Sequence, residues 1–174
     1  MLTNHQTKSH KKWYYLAALP IVGLMLLAFQ STSGLNSSTV SGEIPSMFPL
    51  PDKYREKVNW GFNEKAIHPI SKKEVTHQGV DIGAPMGTEV YAASAGIVKK
   101  AELLDGWGNL LVIDHGESYS TYYAHLKGFK VKSGDKVSKG QVVATVGSTG
   151  KSTGPHLHFE VRKEGEKVNP EEYY

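Results

Sequence analysis

Between residues 91 and 162 the chain is cut into short β-branched or aromatic runs with glycine-containing turns between them. Residues 91–100, 110–115, 120–126, 141–146 and 156–162 are such runs; Asp105-Gly106, Ser133-Gly134-Asp135 and Ser148-Thr149-Gly150 are such turns. β-Branched and aromatic side chains suit a pleated, half-buried surface. No apolar stripe of helical period interrupts them. The pattern predicts an all-β domain, a mainly antiparallel sheet or sandwich. In VKSGDKVSKGQVVATVG, residues 131–147, Gly134 and Gly140 fall at turn positions among small apolar residues, as in compact hairpins.

The β-rich part begins near residue 47. Residues 31–46, STSGLNSSTVSGEIPS, are rich in Ser, Thr and Gly and poor in bulky apolar groups, the composition of a flexible linker. Ahead of it, residues 13–29 carry no charge and follow Lys8, His10, Lys11 and Lys12. As a helix this run reaches roughly 25 Å, enough to span a bilayer when Trp13, Tyr14 and Tyr15 sit at the interface. The expected organisation is a cytoplasmic basic flank at 1–12, a transmembrane anchor or signal segment at 13–30, a linker at 31–46 and one folded domain at 47–174. With the basic flank inside, the domain lies outside the cytoplasm on a single-pass anchor. The competing reading is a secretory signal cleaved near residues 31–33, although Ala28-Phe29-Gln30 is a poor approach to a cleavage site.

The chain has no cysteine, which excludes a disulfide framework, a thiolate metal site and a cysteine nucleophile. A metal would have to be held by His, Asp or Glu. Lys8, Lys11 and Lys12 account for the whole formal net charge of +3, so the rest of the chain is neutral overall and no basic patch points to nucleic acid.

Of eight histidines, six remain once His5 and His10 are set with the flank. His156-Leu157-His158-Phe159-Glu160-Val161 alternates strictly, so in a strand Leu157, Phe159 and Val161 face one side and His156, His158 and Glu160 the other. Two histidines on one strand face can both reach one ion, or one can bind it while the other works on a water; a polar solvent face is the plain alternative. His77-Gln78-Gly79-Val80-Asp81 sets an imidazole and a carboxylate four apart around a glycine that lets the backbone turn. Both are zinc ligand types, and both are ordinary loop residues. In Tyr122-Tyr123-Ala124-His125-Leu126, alternation puts Tyr123 and His125 on one face, where a structural histidine is the plain alternative. His115, after the run 110–114, reads as a structural residue at a turn. Glu160 reads as a salt-bridge partner or a support for the histidines rather than a catalytic group.

Taken together and in this order, H-x3-D, Y-A-H-L and H-L-H resemble the M23 family of zinc peptidases, of the lysostaphin and LytM type. The resemblance covers roughly residues 59–170: HPI at 68–70, HQGVDIGAPMGTEVYA at 77–92, GNLLVIDHG at 108–116, YYAHL at 122–126, GDKVSKGQVVATVGSTGKSTGPHLHFEV at 134–161 and NP at 169–170. It implies an antiparallel β-sheet with a substrate groove above it, preceded here by the membrane helix. It also implies one Zn²⁺ per chain, held by His77, Asp81 and His158, with His125 and His156 as the catalytic histidines. All five residues are present. The arginine that often comes shortly before HPI is absent from Asn63-Glu64-Lys65-Ala66-Ile67, and His68 is given no zinc role.

Three protein ligands would leave the fourth position of a tetrahedral zinc for water, the arrangement of a catalytic site. No H-E-x-x-H is present, so the base falls to imidazole: His125 as base and His156 as partner or oxyanion donor, or the two exchanged. Trp107, Tyr119, Tyr122 and Tyr123 are candidates for the groove wall, and Gly147, Gly150 and Gly154 allow close backbone approach of an extended peptide. The resemblance implies a membrane-tethered or exported endopeptidase acting on peptidoglycan peptides. Crosslinks, glycine bridges and stem bonds are all open as the bond cut. A non-catalytic envelope scaffold of the same family is the alternative, although such relatives usually lose one of the five residues. A lipoyl-like carrier at 131–150 would leave the histidine motifs without a role.

Overall fold

The computed structural model describes residues 43–68 and 70–174. The flank 1–12, the apolar segment 13–30 and the linker up to residue 42 lie outside the described residues, among which no helix is long and apolar enough to cross a membrane.

A large sheet dominates the domain. In spatial order it runs β1 (Val58–Trp60), β4 (Val80–Gly83), β12 (His156–Lys163), β8 (Tyr119–Leu126), β7 (Gly108–Gly116), β6 (Gly96–Leu104) and β10 (Lys136–Val137), with β13 (Glu166–Val168) paired to β12. A second sheet joins β5 (Glu89–Tyr91), β11 (Val142–Thr145) and β9 (Gly128–Phe129), and β2 (Lys65–Ile67) with β3 (Glu74–Thr76) makes a separate hairpin. Every pairing is antiparallel. Two short 3-10 helices, Asp52–Lys57 and Pro170–Glu172, flank the strands.

The alternation of β12 sets the two faces of the large sheet. Leu157, Phe159 and Val161 are fully buried and join Val80, Ile82, Ile113 and Tyr123, together with Val90, Val143 and Ala144 of the three-stranded sheet, in one core. Each of the larger side chains contributes about 1.5–3 kcal/mol by leaving water. The opposite face carries His156, His158 and Glu160, with a small apolar cluster of Leu110, Val112 and Ala124 beside them. The groove therefore opens on the face that the second sheet does not cover.

One predicted strand is divided. The run 91–100 ends one strand at Tyr91 and starts another at Gly96, and residues 92–95 between them cross from the small sheet to the large one. Their polar backbone groups find partners outside any ladder: Ser46 N donates to Ala93 O at 3.1 Å, and Ala93 N donates to the Tyr123 hydroxyl at 2.9 Å. Small side chains make that buried crossing possible, since Ala92, Ala93 and Ser94 are all almost wholly inaccessible. Gly134 and Gly140 do occupy turns, with φ of 90° and 78°.

Candidate metal centre and groove

Register places the first two polar groups together. In the β4–β12 ladder the Cα of Asp81 is opposite that of His158, and both side chains project to the groove face. His77, just before β4, completes a triangle: His158 Nδ1 to Asp81 Oδ1 is 2.8 Å, His77 Nε2 to Asp81 Oδ1 is 3.2 Å, and His77 Nε2 to His158 Nδ1 is 3.1 Å. Three donors on a tetrahedral zinc with ~2.0–2.1 Å bonds would be about 3.3–3.4 Å apart, so a separation of a few tenths of an ångström admits the ion.

The outer nitrogens decide which lone pairs point inward. His77 Nδ1 donates to Gly61 O at 3.2 Å, leaving Nε2 as an acceptor. His158 Nε2 faces Glu160 Oε1 at 3.4 Å, leaving Nδ1 turned to the triangle. Two inward lone pairs beside a carboxylate repel one another unless a cation or a proton sits among them. Without the ion a proton takes that place: burial alone would lower the His158 pKa, but the hydrogen bonds and charges of Asp81 and Glu160 hold it up to about 9. Burial pushes Asp81 up, yet His158 and His77 bring its carboxyl below the usual carboxylate range. The donor set therefore fits a divalent cation, and zinc in particular.

Glu160 is buried and was legible only as a member of the histidine face. Arg162 donates to its Oε2 from Nη2 at 2.6 Å and from Nε at 2.9 Å, and Lys167 Nζ lies 3.1 Å from Oε1. Burial acts to raise its pKa, but His158 and Arg162 outweigh it and hold the value down at about 2. A carboxylate on the outer nitrogen of a ligating histidine fixes the ring and raises its basicity.

The two further histidines stand on the same side. His125 and His156 have ring centroids 4.8 Å apart, and His156 Nε2 is 3.7 Å from Asp81 Oδ2. His125 Nδ1 donates to Thr149 O and His156 Nδ1 donates to Gly154 O, each at 2.8 Å. In the neutral ring both residues therefore keep Nε2 free of a proton. Burial is the main reason the His125 pKa falls to about 4, helped by the neighbouring His156 and His158 and opposed by the Thr149 carbonyl bond.

Strand alternation mispredicts the direction of His125. Tyr123 is fully buried in the core, whereas His125 lines the groove on the opposite face. The cause is a bulge: Asn109 is opposite Leu126 and Leu111 opposite Tyr123, so Ala124 and His125 together oppose Leu110 alone. His125 has φ of 59°, the left-handed region, which costs a non-glycine residue about 1–3 kcal/mol and persists only where the surroundings enforce it.

The groove is a cavity of about 790 Å³, and Trp60, His68, Trp107 and Lys151 line it beside the histidines. Trp60 stacks on His77 at 4.3 Å between centroids and 10° between planes, and Trp107 meets His158 edge-on at 5.6 Å. Trp107 is thus a wall residue as expected; Tyr123 is core, Tyr119 packs on Tyr173 at 5.8 Å, and Tyr122 lies under the Arg162 guanidinium at 3.7 Å. Trp60 went unpredicted because no motif surrounds it. His68 fixes its own loop, its Nδ1 accepting from Ile70 N and Ser71 N at 3.2 Å each.

The glycines also act differently from expectation. A Cβ on Gly147 would strike Lys127 N and one on Gly150 would strike Gly108 N, so both serve contacts within the domain; only Gly154 is open. Gly79 makes no left-handed turn. Its missing Cβ would lie 2.5 Å from Phe159 O and 3.0 Å from His158 Cε1, so it lets the chain pass close beneath β12. His115 lies inside β7 rather than at a turn and has a structural role: Nδ1 donates to Ala95 O at 2.7 Å, and Nε2 bonds Thr121 Oγ1 at 2.8 Å.

Comparison with known proteins agrees with this geometry. The peptidoglycan DD-endopeptidase ShyA of Vibrio cholerae serotype O1 is 41% identical over 122 residues, 70% of this chain and 28% of ShyA. A zinc-containing peptidase from Vibrio cholerae superposes with a TM-score of 0.67 and 39% identity over 74% of this chain and 39% of its own. The catalytic domain of the antimicrobial peptidase lysostaphin from Staphylococcus simulans superposes with a TM-score of 0.61 and 28% identity over 71% of this chain and 97% of its own. The chain spans between about a quarter and a third of the length of the curated relatives it matches. The model of peptidase family M23 matches residues 75–170, more than half of the sequence and the whole stretch that carries the five polar side chains, and the chain belongs to that family.

Proposed function

We propose that this protein is a zinc endopeptidase that hydrolyses peptide bonds in bacterial peptidoglycan. The observation that carries the reading is the convergence of five side chains on one groove: His77, Asp81 and His158 within bonding reach of a common point, with His125 and His156 beside them. The DD-endopeptidase relatives supply the substrate class.

His77 Nε2, Asp81 Oδ1 and His158 Nδ1 would hold the ion. Zinc bound there supplies Lewis acidity toward water and toward the scissile carbonyl. The chain's own residues do the rest. His125 is neutral at physiological pH because burial depresses its pKa, so its Nε2 can accept a proton from the attacking water. Its Nδ1 stays bonded to Thr149 O throughout, which keeps the ring aimed into the groove. His156 is the partner: its Nδ1 is committed to Gly154 O, so only Nε2 is left to exchange a proton, and once that nitrogen is protonated it can donate to the developing oxyanion. Glu160 keeps the His158 ring in place, and Trp60 and Trp107 give the centre apolar flanks that limit water.

A partner-binding scaffold needs none of this convergence. The test is to purify the protein, measure its zinc by elemental analysis and assay release of soluble fragments from cell walls. Near-stoichiometric zinc with chelator-sensitive release is expected; metal-free protein that releases fragments at an unchanged rate would overturn the mechanism.

Tethering is part of the same proposal. The uncharged run 13–29 behind Lys8, Lys11 and Lys12 supports a single-pass anchor at 13–30 that holds the domain outside the cytoplasmic membrane, with secretion after cleavage as the alternative.

A further inference from the structure

The bulge that turns His125 into the groove needs something to hold it, and the segment 147–150 provides it. Thr149 contacts the bulge at four points. Its carbonyl accepts from His125 Nδ1 at 2.8 Å, its N–H reaches His125 O at 3.4 Å, its hydroxyl donates to Leu126 O at 2.9 Å, and the same hydroxyl oxygen accepts from Asn109 N at 2.9 Å. Asn109 and Leu126 are the paired residues that close the bulge on one side. The hydroxyl therefore joins the two strands at the point where the ladder slips.

Two glycines make room for that arrangement. Gly108 has φ of 66° and Gly150 φ of 69°, and a Cβ on Gly108 would strike Thr149 Oγ1 while one on Gly150 would strike Gly108 N. Lys151 N donates to Gly106 O at 2.8 Å and bonds their loops together, and His125 N donates to Trp107 O at 3.0 Å and ties β8 to the Gly108 loop. None of these hydrogen bonds of Thr149 goes to His77, Asp81 or His158. Among these contacts the Thr149 carbonyl bond is the one that meets the His125 ring itself.

We infer that Thr149 is a positioning residue for the reaction: its hydroxyl locks the bulge in β8, and the lock keeps its own carbonyl where it holds His125 Nδ1–H and leaves Nε2 bare toward the groove. The inference rests on His125 acting as base, as proposed above. Other side chains can complete the bulge sterically, but only a hydroxyl both accepts from Asn109 N and donates to Leu126 O.

The experiment uses the full-length zinc-loaded protein as wild type, Thr149→Val and Thr149→Ser, and a soluble peptidoglycan fragment as substrate. Val keeps the shape of Thr and loses the hydroxyl; Ser keeps the hydroxyl. Expected for Thr149→Val are wild-type zinc content, KM within about twofold and kcat lower by tenfold or more, with Thr149→Ser within about threefold of wild type. Imidazole ¹⁵N shifts of His125, expected to show the Nδ1–H tautomer in wild type and a mixture in Thr149→Val, read the lock without activity. Wild-type kcat and an unchanged tautomer in Thr149→Val would overturn the inference, as would a lowered Tm with unchanged kcat per folded molecule. If the wild type binds zinc but cleaves nothing, the catalytic reading fails while the tautomer still decides whether Thr149 holds the ring.

Discussion

The five polar residues of the groove divide by what each nitrogen or oxygen touches. His77, Asp81 and His158 aim donor atoms at one point, and His125 and His156 spend Nδ1 on backbone carbonyls and keep Nε2 for chemistry. Removing a member of either set should therefore fail in a different way. Replacing His77, Asp81 or His158 by Ala removes one of three ligands, and zinc and activity should disappear together. His125→Ala and His156→Ala should retain most of the zinc and lose activity by ~10²-fold or more. Elemental analysis beside cell-wall hydrolysis for the five variants checks this. Loss of metal in His156→Ala with retention in His158→Ala would require the two roles to be exchanged.

Strand β12 does most at the scale of the element, since it supplies core on one face and His156, His158 and Glu160 on the other. Its position over residues 77–81 depends on Gly79. An alanine there would place a methyl 2.5 Å from Phe159 O and 3.0 Å from both His158 Cε1 and Glu160 Cγ, and the nearest of these is backbone, which leaves little to give. Gly79→Ala should cost about 1–3 kcal/mol of stability, as overpacking does. Because the displaced atoms include the His158 ring, zinc affinity should fall by about tenfold or more as well. Chemical denaturation and competition against a zinc chelator measure the two effects. A variant of wild-type stability and affinity would mean that the strands separate at no cost.

For the whole molecule, pH and the membrane give the informative tests. Burial lowers the pKa of both His115 and His125 below the ordinary 6.5, so the unfolded chain binds protons that the folded one refuses. Their contribution is complete above about pH 6.5 and is lost as pH falls toward the folded values. His158 has the opposite sign in the metal-free protein: its contribution is present below about 6.5 and is lost as pH rises through about 9. Metal-free protein should thus lose stability on both sides of neutrality. In His115→Asn, which is less stable at pH 7, part of the acid-side loss should vanish; urea unfolding between pH 5 and 9 follows both. For the membrane, an uncleaved anchor at 13–30 should keep the protein in the pellet after carbonate washing, with the domain open to protease from outside. A soluble form starting near residues 31–35 would replace tethering with secretion.

The all-β class, the turns at Gly134 and Gly140 and the two faces of HLHFEV could be read directly from the sequence, because alternation and turn chemistry depend only on neighbours along the chain. The motifs also marked the five groove residues. What they could not determine is everything that depends on register between distant strands. Asp81 meets His158 because β4 and β12 pair at that residue; Trp60 reaches His77 because β1 adds to the edge; His125 leaves the core because the β7–β8 ladder slips by one residue at Leu110. A one-residue slip moves a side chain to the opposite face, and nothing local in Tyr-Ala-His-Leu records it. The tertiary structure decides it: the ladder slips between Asn109 and Leu111, and Thr149, far from His125 in the chain, meets its ring in space.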